Sequence, residues 1–267
     1  GMVHAALAQC PVIGGTVVSF DDSKARAMPG VRAVINLVDG VAVVADHFWT
    51  AKKARDALDI KWLVGAAGSV SSESVARALE LGTGKAAPIA RENGDVAAGL
   101  KGASKTLEAR YELPMLAHVA LEPMNCLALV ANGTCDIWTS TQFPEGAEAA
   151  AAARSGVKPE SVHIHPQFIR GGFGRRLETD AIGQAAAIAK AMPGVPVKLI
   201  WTREDDTTHD FYRPASLHTL EGGLGKDGKL IALHHRMVSP SPTARAFPAF
   251  VKAGIDPFMV EGAVNLT

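Results

Sequence analysis

The sequence predicts an α+β chain, and three observations carry that reading. Tight-turn dipeptides, Asp39-Gly40 and Asn132-Gly133, each separate two β-rich runs. Two stretches, 48–58 and 145–154, have the spacing or composition of helices. A strand, a glycine loop and a helix then follow one another over 161–191.

In chain order, residues 16–20 read as a strand, and Asp21 and Asp22 cap a short helix that Pro29-Gly30 ends. Residues 31–38 and 41–45 form a hairpin about Asp39-Gly40. Phe48, Ala51, Ala54 and Leu58 recur at helical spacing, with Lys52, Lys53 and Arg55 elsewhere on the circumference. Nothing in this first part reads as catalytic. Residues 66–104 are rich in Gly, Ala and Ser and read as a connector with a helix over 72–81.

The chain turns β-rich again at 105–130, where Leu107, Ala109, Tyr111 and Leu113 share one face. Glu122-Pro123-Met124-Asn125 breaks two extended stretches. Glu122 fits either a buried functional carboxylate or a hydrogen-bonded turn residue. Asn132-Gly133 leads into a strand over 134–140, and Pro144 opens the alanine-rich helix that ends near Gly156. Gln142 therefore stands at a strand's end just before a helix, where side chains reach a site. Residues 211–240 read as a strand pair. The run GLGKDGKL within it superficially fits GxxxxGK, but Leu230 replaces the Ser or Thr that would hold magnesium and a strand follows. Asp227-Gly228 is a hairpin turn instead. From Ser239 onward Pro and Gly are frequent and no period is visible.

Composition narrows the function classes. With 27 basic and 27 acidic residues, the chain has no global charge footprint for nucleic acid or anionic membrane. No apolar run approaches the ~20 residues that span a bilayer, and the first residues lack the basic region of a secretion signal. The nine histidines show no helical ligand spacing, so His163/His165 and His234/His235 read as structural and no metal site is assigned. The three cysteines form no CxxC pair, which excludes an iron–sulfur cluster held by four cysteines of this chain.

The informative stretch is HIHPQFIRGGFGRRLETD, 163–180. A strand over 161–169 carries Pro166, which places it at an edge or interrupts it. The loop Arg170-Gly171-Gly172-Phe173-Gly174-Arg175-Arg176 precedes a helix over 177–191 with Glu178 and Asp180 in its first turn, and a strand over 195–201 follows. Glycines let backbone N–H groups approach a ligand, and arginines add forked cationic donors. Two readings stay open on these residues: an anion or cofactor cradle, or a tight glycine turn with solvated arginines. The spacing is not GxGxxG, so no dinucleotide fingerprint is present.

IRGGFGRRLETDA resembles the glycine-phenylalanine-glycine loop of the large subunit of molybdenum hydroxylases, the xanthine dehydrogenase and aldehyde oxidase family. The double arginine and following Leu-Glu are similar to the isoquinoline 1-oxidoreductase beta-subunit branch. LAHVALEPMNCLA (116–128) and IWTSTQFPEGA (137–147) resemble two further segments of that branch, in the same order. The resemblance implies a partial hammerhead-type α/β domain over 1–65, starting after that domain's first strand. It also implies the N-terminal part of a mixed α/β molybdopterin-binding domain over 105–267. The implied cofactor is molybdenum with molybdopterin, in its cytosine dinucleotide form. The implied reaction is hydroxylation of an N-heteroaromatic or aldehyde carbon, with oxygen from water and electrons leaving through a small 2Fe–2S partner subunit.

By the same resemblance Gln142 hydrogen-bonds an oxo ligand of the metal and Phe173 borders the substrate pocket. Gly171, Gly172, Phe173, Gly174, Arg175 and Arg176 would hold the cofactor. Two residues depart from the family pattern: Arg170 stands for a usual glycine, and Arg175 stands where xanthine dehydrogenase has glycine. The family's C-terminal general-base glutamate motif does not occur in this sequence. The expectation is that this part is inactive and binds no molybdenum without the remainder of the large subunit. The competing expectation is a catalytically inactive module with a scaffold or small-molecule-binding role.

Overall fold

The computed structural model describes the backbone of residues 1–264 and the side chains of residues 1–260. The chain forms two compact units: residues 1–69 with 117–211, and residues 70–116 with 212–267. Helices and strands mix in both, so the fold is α+β.

The first unit begins with β1 (Val3–Gln9), β2 (Thr16–Asp21), α1 (Ser23–Arg26), β3 (Val31–Asn36), β4 (Gly40–Ala45), α2 (Phe48–Asp56) and β5 (Asp59–Leu63). The chain then passes through α3 (Ser72–Thr83), α4 (Val96–Lys101) and β6 (Lys105–Leu113) of the second unit. It returns with β7 (Asn125–Ala131), β8 (Thr134–Thr139), α5 (Pro144–Ser155), β9 (Val162–Pro166), α6 (Asp180–Lys190), β10 (Val197–Ile200) and α7 (Arg203–Thr208). The second unit closes with β11 (Ser216–Leu224), β12 (Leu230–Val238), α8 (Pro242–Ala246) and α9 (Pro257–Val264).

A seven-stranded sheet, ordered β3-β4-β1-β10-β7-β8-β9, organises the first unit. β1 lies parallel to β10 and β8 parallel to β9; the other pairs are antiparallel. Ala5, Leu7, Cys126, Ala128, Ile137, Val197 and Leu199 share one buried cluster with Ala147, Ala151, Ala185, Ala186 and Ile188 of α5 and α6. Alanine on both helices lets them pack closely, and each fully buried Ile or Leu adds about 1.5–3 kcal/mol. Toward the β3–β4 end, Val34, Val41 and Val43 bury against Ala25 of α1 and Ala54 of α2. β2 and β5 pair as a separate ribbon.

Local turn chemistry explains most of the agreement with the sequence expectations. Asn132 and Gly133 take φ of 51° and 81°, the left-handed pair a two-residue hairpin requires. Gly228, at φ 77°, closes the β11–β12 hairpin, where the Asp227 carboxylate accepts the Lys229 N–H at 3.1 Å. Pro166 ends β9 at the sheet's edge, where a missing N–H costs no ladder bond.

Other details differ. The strand before Asp39-Gly40 stops at Asn36, and Val38 takes the left-handed φ of 75° because the Asn36 side chain accepts its N–H. β1, which the sequence reading left unassigned, sits inside the large sheet: VHAALAQ has no exposed residue on either face and so shows no polar–apolar alternation. The helix expected from 177 starts at Asp180, because Arg175–Leu177 form a separate 3₁₀ turn. Only Asp180 lies in the first turn of α6, and Glu178 precedes it. The aperiodic end is pinned at Asp256, whose carboxylate accepts from Ser241 Oγ, Thr243 Oγ1 at 2.7 Å and the Phe258 N–H at 3.0 Å.

Cys10, Cys126 and Cys135 are all free and buried. Burial raises the Cys135 thiol and pushes that of Cys126 up to about 12. Thiol titration of the native protein at pH 8 should therefore leave Cys126 unmodified, and all three cysteines should react once denaturant is added. Rapid native labelling of Cys126 would contradict this packing.

The second unit is a three-stranded antiparallel sheet, ordered β12-β11-β6. α3 and α4 cover one face closely: a Cβ at Gly99 would meet Ala232 Cβ at 2.9 Å, and one at Gly82 would meet Val238 Cγ1 at 2.4 Å. The opposite face leaves Leu107, Tyr111, Leu113 and Leu233 exposed. Among the described residues no helix is long and apolar enough to cross a membrane, and no group of three or more His, Cys, Asp or Glu could hold a metal ion.

Candidate functional site

The site lies wholly in the first unit, where the end of β8 meets the loop between β9 and α6. The strand exit and the loop are tied by their backbones. The Arg176 carbonyl accepts the Gln142 N–H at 2.9 Å and the Thr141 hydroxyl at 3.2 Å. The loop coils under Gly171, Phe173 and Gly174, with φ of 84°, 53° and 100°. Glycine meets that demand freely at two of the three positions, whereas Phe173 is a strained exception. The turn is closed by Arg175 N–H to the Gly172 carbonyl at 2.8 Å.

Gln142 reaches into this coil. Its Oε1 accepts the Gly174 N–H at 3.1 Å, which fixes the amide and leaves Nε2 as the free donor at an exposed position. Gly172 is buried directly beside it: a Cβ there would lie 2.5 Å from Gln142 Oε1 and 2.8 Å from its Cδ. The N–H groups of Gly172 and Phe173 have no acceptor among the described residues. The structure thus brings together Gln142, Gly171, Gly172, Phe173 and Gly174. Two backbone donors and one amide donor are left without partners. Such a donor set suits an anionic, oxygen-rich group.

Arg175 and Arg176 lie elsewhere than their charge alone suggested. Both guanidiniums are buried and turned inward, under the loop. Arg175 makes a bidentate pair with Asp180 at 3.0 and 2.9 Å and lies over the Trp201 and Phe211 rings, 5.5 and 5.6 Å from their centroids. Its Nε is 3.0 Å from Asp210 Oδ1, a charge contact without hydrogen-bond alignment. Arg176 donates to the carbonyls of Gly171 at 3.0 Å, Ser140 at 3.3 Å and Glu122 at 2.9 Å. It therefore staples the loop to two neighbouring segments. Burial lowers its pKa, and Glu122, whose Oε2 is 3.4 Å away, partly offsets this. Glu122 is half-buried and also donates its N–H to the Arg170 carbonyl at 3.2 Å, so it has the bonding of a turn residue.

Three residues absent from the sequence reading support the loop from beneath. Asp210, 1% exposed, accepts the His118 N–H at 2.5 Å and lies 3.0 Å from His118 Nδ1. Burial would raise the Asp210 carboxyl, but the His118 bonds and Arg175 outweigh it and hold the pKa below the usual range. His118 Nε2 faces Gly174, 3.6 Å from where a Cβ would stand. Arg203 donates to the carbonyls of Ala120 at 2.6 Å and Leu121 at 2.9 Å, and pairs with buried Asp206 at 2.7 Å. His118 and Asp210 are 92 residues apart, so no local pattern could have paired them. Around the coil, Phe173 is 72% exposed, Phe168 95% and Leu121 80%.

This mixed α/β unit, with a glycine coil and a clamped glutamine between strand and helix, has the character of a cofactor-binding domain. The family described as "Molybdopterin cofactor-binding domain" matches residues 82–251, more than half of the chain, and the chain belongs to that family. The beta subunit of isoquinoline 1-oxidoreductase from Brevundimonas diminuta is 31% identical over 95% of this chain and 34% of its own length. A membrane-bound aldehyde dehydrogenase (pyrroloquinoline-quinone) from Gluconacetobacter polyoxogenes is 32% identical, covering 91% of this chain and 33% of its own. Among solved structures, the aldehyde oxidoreductase of Desulfovibrio gigas shares the fold with a TM-score of 0.70 at 18% identity, over 94% of this chain and 32% of that one. The chain spans about a third of the length of these relatives.

Proposed function

We propose that this chain supplies one wall of the molybdopterin site in a molybdenum hydroxylase large subunit. The cofactor would be the cytosine dinucleotide form, and the remaining walls would come from the rest of the subunit. Along the chain, the proposed division is a partial hammerhead domain over 1–65, a connector over 66–104 and the start of the molybdopterin-binding domain over 105–267. The observation that carries the reading is the unpartnered N–H groups of Gly172 and Phe173 beside a Gln142 amide fixed with its donor outward. When bound, the molybdenum centre supplies the redox chemistry, and this chain supplies donors, position and an apolar rim. Phe173 and its exposed apolar neighbours would border the place where an N-heteroaromatic or aldehyde substrate lies. Water would be the oxygen source, and a 2Fe–2S subunit would take the electrons.

One relative's name carries pyrroloquinoline-quinone, also an anionic cofactor, which backbone donors alone would not refuse. Metal analysis separates the two readings. Gly172→Val in the intact subunit would place carbon atoms on Gln142 and push it off Gly174. Overpacking of about 1–3 kcal/mol should lower molybdenum content roughly tenfold or more while the subunit stays folded. Wild-type molybdenum content in that variant would refute the cradle. A wild-type subunit that is active without molybdenum would favour the quinone. The 267-residue chain by itself is expected to bind no molybdenum, because a buried cofactor needs walls this chain lacks. Near-stoichiometric metal in the purified chain would contradict that.

A further inference from the structure

We propose that His118 is a positioning residue of the cofactor site, its Nε2 accepting a hydrogen bond from an N–H or O–H of the bound group. This rests on the molybdopterin reading above and adds a demand on the occupant, which must carry a donor beside its anionic oxygens.

The His118 ring is fixed at one end and open at the other. Nδ1 stands 3.0 Å from both carboxylate oxygens of Asp210, and the same carboxylate accepts the His118 backbone N–H. A carboxylate held in its charged form only accepts, so Nδ1 carries the proton. Nε2 of the neutral ring is then a bare lone pair. The side chain is 10% exposed, and Nε2 has no partner among the described residues. It is not fully enclosed, however, so a bound group can reach it. It faces the coil, 3.6 Å from where a Cβ of Gly174 would stand, and Gly174 has none.

The backbone is held against its preference to keep the ring there. Val119, the next residue, is β-branched and takes φ of 47°, a conformation that L side chains rarely adopt. Such strain persists where the surroundings over-determine it, as at ligand clamps. Two anchors do so here. Asp210 holds the His118 N–H on one side, and Arg203 holds the Ala120 and Leu121 carbonyls at 2.6 and 2.9 Å on the other. A Cβ at Gly171 would meet the Leu121 nitrogen at 3.2 Å, so this segment packs on the coil at two points.

The sense of the hydrogen bond then selects the occupant. The Gly172 and Phe173 N–H groups and Gln142 Nε2 all donate. A sulfate ion or an oxo group would satisfy donors but offers nothing to an acceptor. A heterocycle with ring N–H or amino groups beside its oxygens, the class to which a pterin belongs, satisfies both.

The test uses the intact enzyme and two near-isosteric variants. His118→Asn keeps an amide N–H near the Nδ1 position for Asp210 and removes the atom at Nε2. His118→Gln can instead set its Oε1 near the Nε2 position as an acceptor. Metal analysis follows the loss of molybdenum from each purified enzyme at one elevated temperature. His118→Asn should lose the metal roughly 2- to 10-fold faster than wild type, the scale of one hydrogen bond. His118→Gln should fall between the two. Thermal unfolding of the cofactor-free forms should be the same for His118→Asn and wild type, because the bond to Asp210 remains. Equal loss rates for His118→Asn and wild type would overturn the proposal. So would a His118→Gln enzyme that loses metal as fast as His118→Asn, or a His118→Asn enzyme already destabilised without cofactor. Gly172→Val separates this from the reading beneath it. If that variant loses its molybdenum while His118→Asn retains it, the cradle stands and His118 merely supports the loop; if both retain it, both readings fall.

Discussion

Gln142→Glu, made in the intact enzyme, is expected to leave fold and cofactor loading in place and to lower kcat roughly 10- to 1000-fold, the range for losing one preorganised donor. The geometry separates two jobs in this one side chain. Oε1 accepts the Gly174 N–H, and a glutamate oxygen can do the same, so the loop keeps its clamp. Only the outward amide donor is replaced, by an anionic acceptor. If Gln142 were just a loop clamp, Glu should serve almost as well and turnover at equal metal content would not change. Steady-state rates normalised to molybdenum decide between the two.

Asp210→Ala is expected to cost the chain about 3–5 kcal/mol, the penalty for removing one partner of a buried charge pair. Asp210 is the common acceptor of His118 and the near neighbour of Arg175, beneath the loop. Without it, the Arg175 charge keeps Asp180 but loses its second carboxylate, and the His118 backbone N–H is orphaned. The pH dependence has a definite sign. A folded pKa held below the unfolded value of about 3.9 stabilises above that pH and is lost as pH falls through the folded value. The stability gap between wild type and variant should therefore be full at neutral pH and shrink below about pH 4. Burial raises the pKa of Asp206 and gives it the opposite slope, so the variant difference isolates Asp210 better than the wild-type curve alone. Denaturant titrations at pH 7 and pH 3.5 measure this; equal gaps at both would remove Asp210 from the network.

What could be read from the chain was what is local. Asn132-Gly133, Asp227-Gly228 and Pro166 each state a backbone requirement in one or two residues, and each sits where that requirement applies. The glycine coil was legible for the same reason, since its φ values are a property of Gly171 and Gly174 themselves. Direction was not legible. Arg175 and Arg176 announce charge, but only the fold shows that Asp180, Asp210 and three carbonyls draw both inward. β1 escaped notice because a strand with no exposed face has no period to see. His118 and Asp210 escaped because nothing in sequence marks a contact across 92 residues.

On the proposed function, the Gly172 and Phe173 N–H groups are held for a cofactor. Amide hydrogen exchange of the peptide spanning 167–178 measures it directly, in the intact enzyme with the cofactor loaded and in the same enzyme prepared without it. Exchange in this peptide should be markedly slower in the loaded form, while a peptide covering α5 should exchange alike in both. Equal exchange at 167–178 with and without cofactor would contradict it.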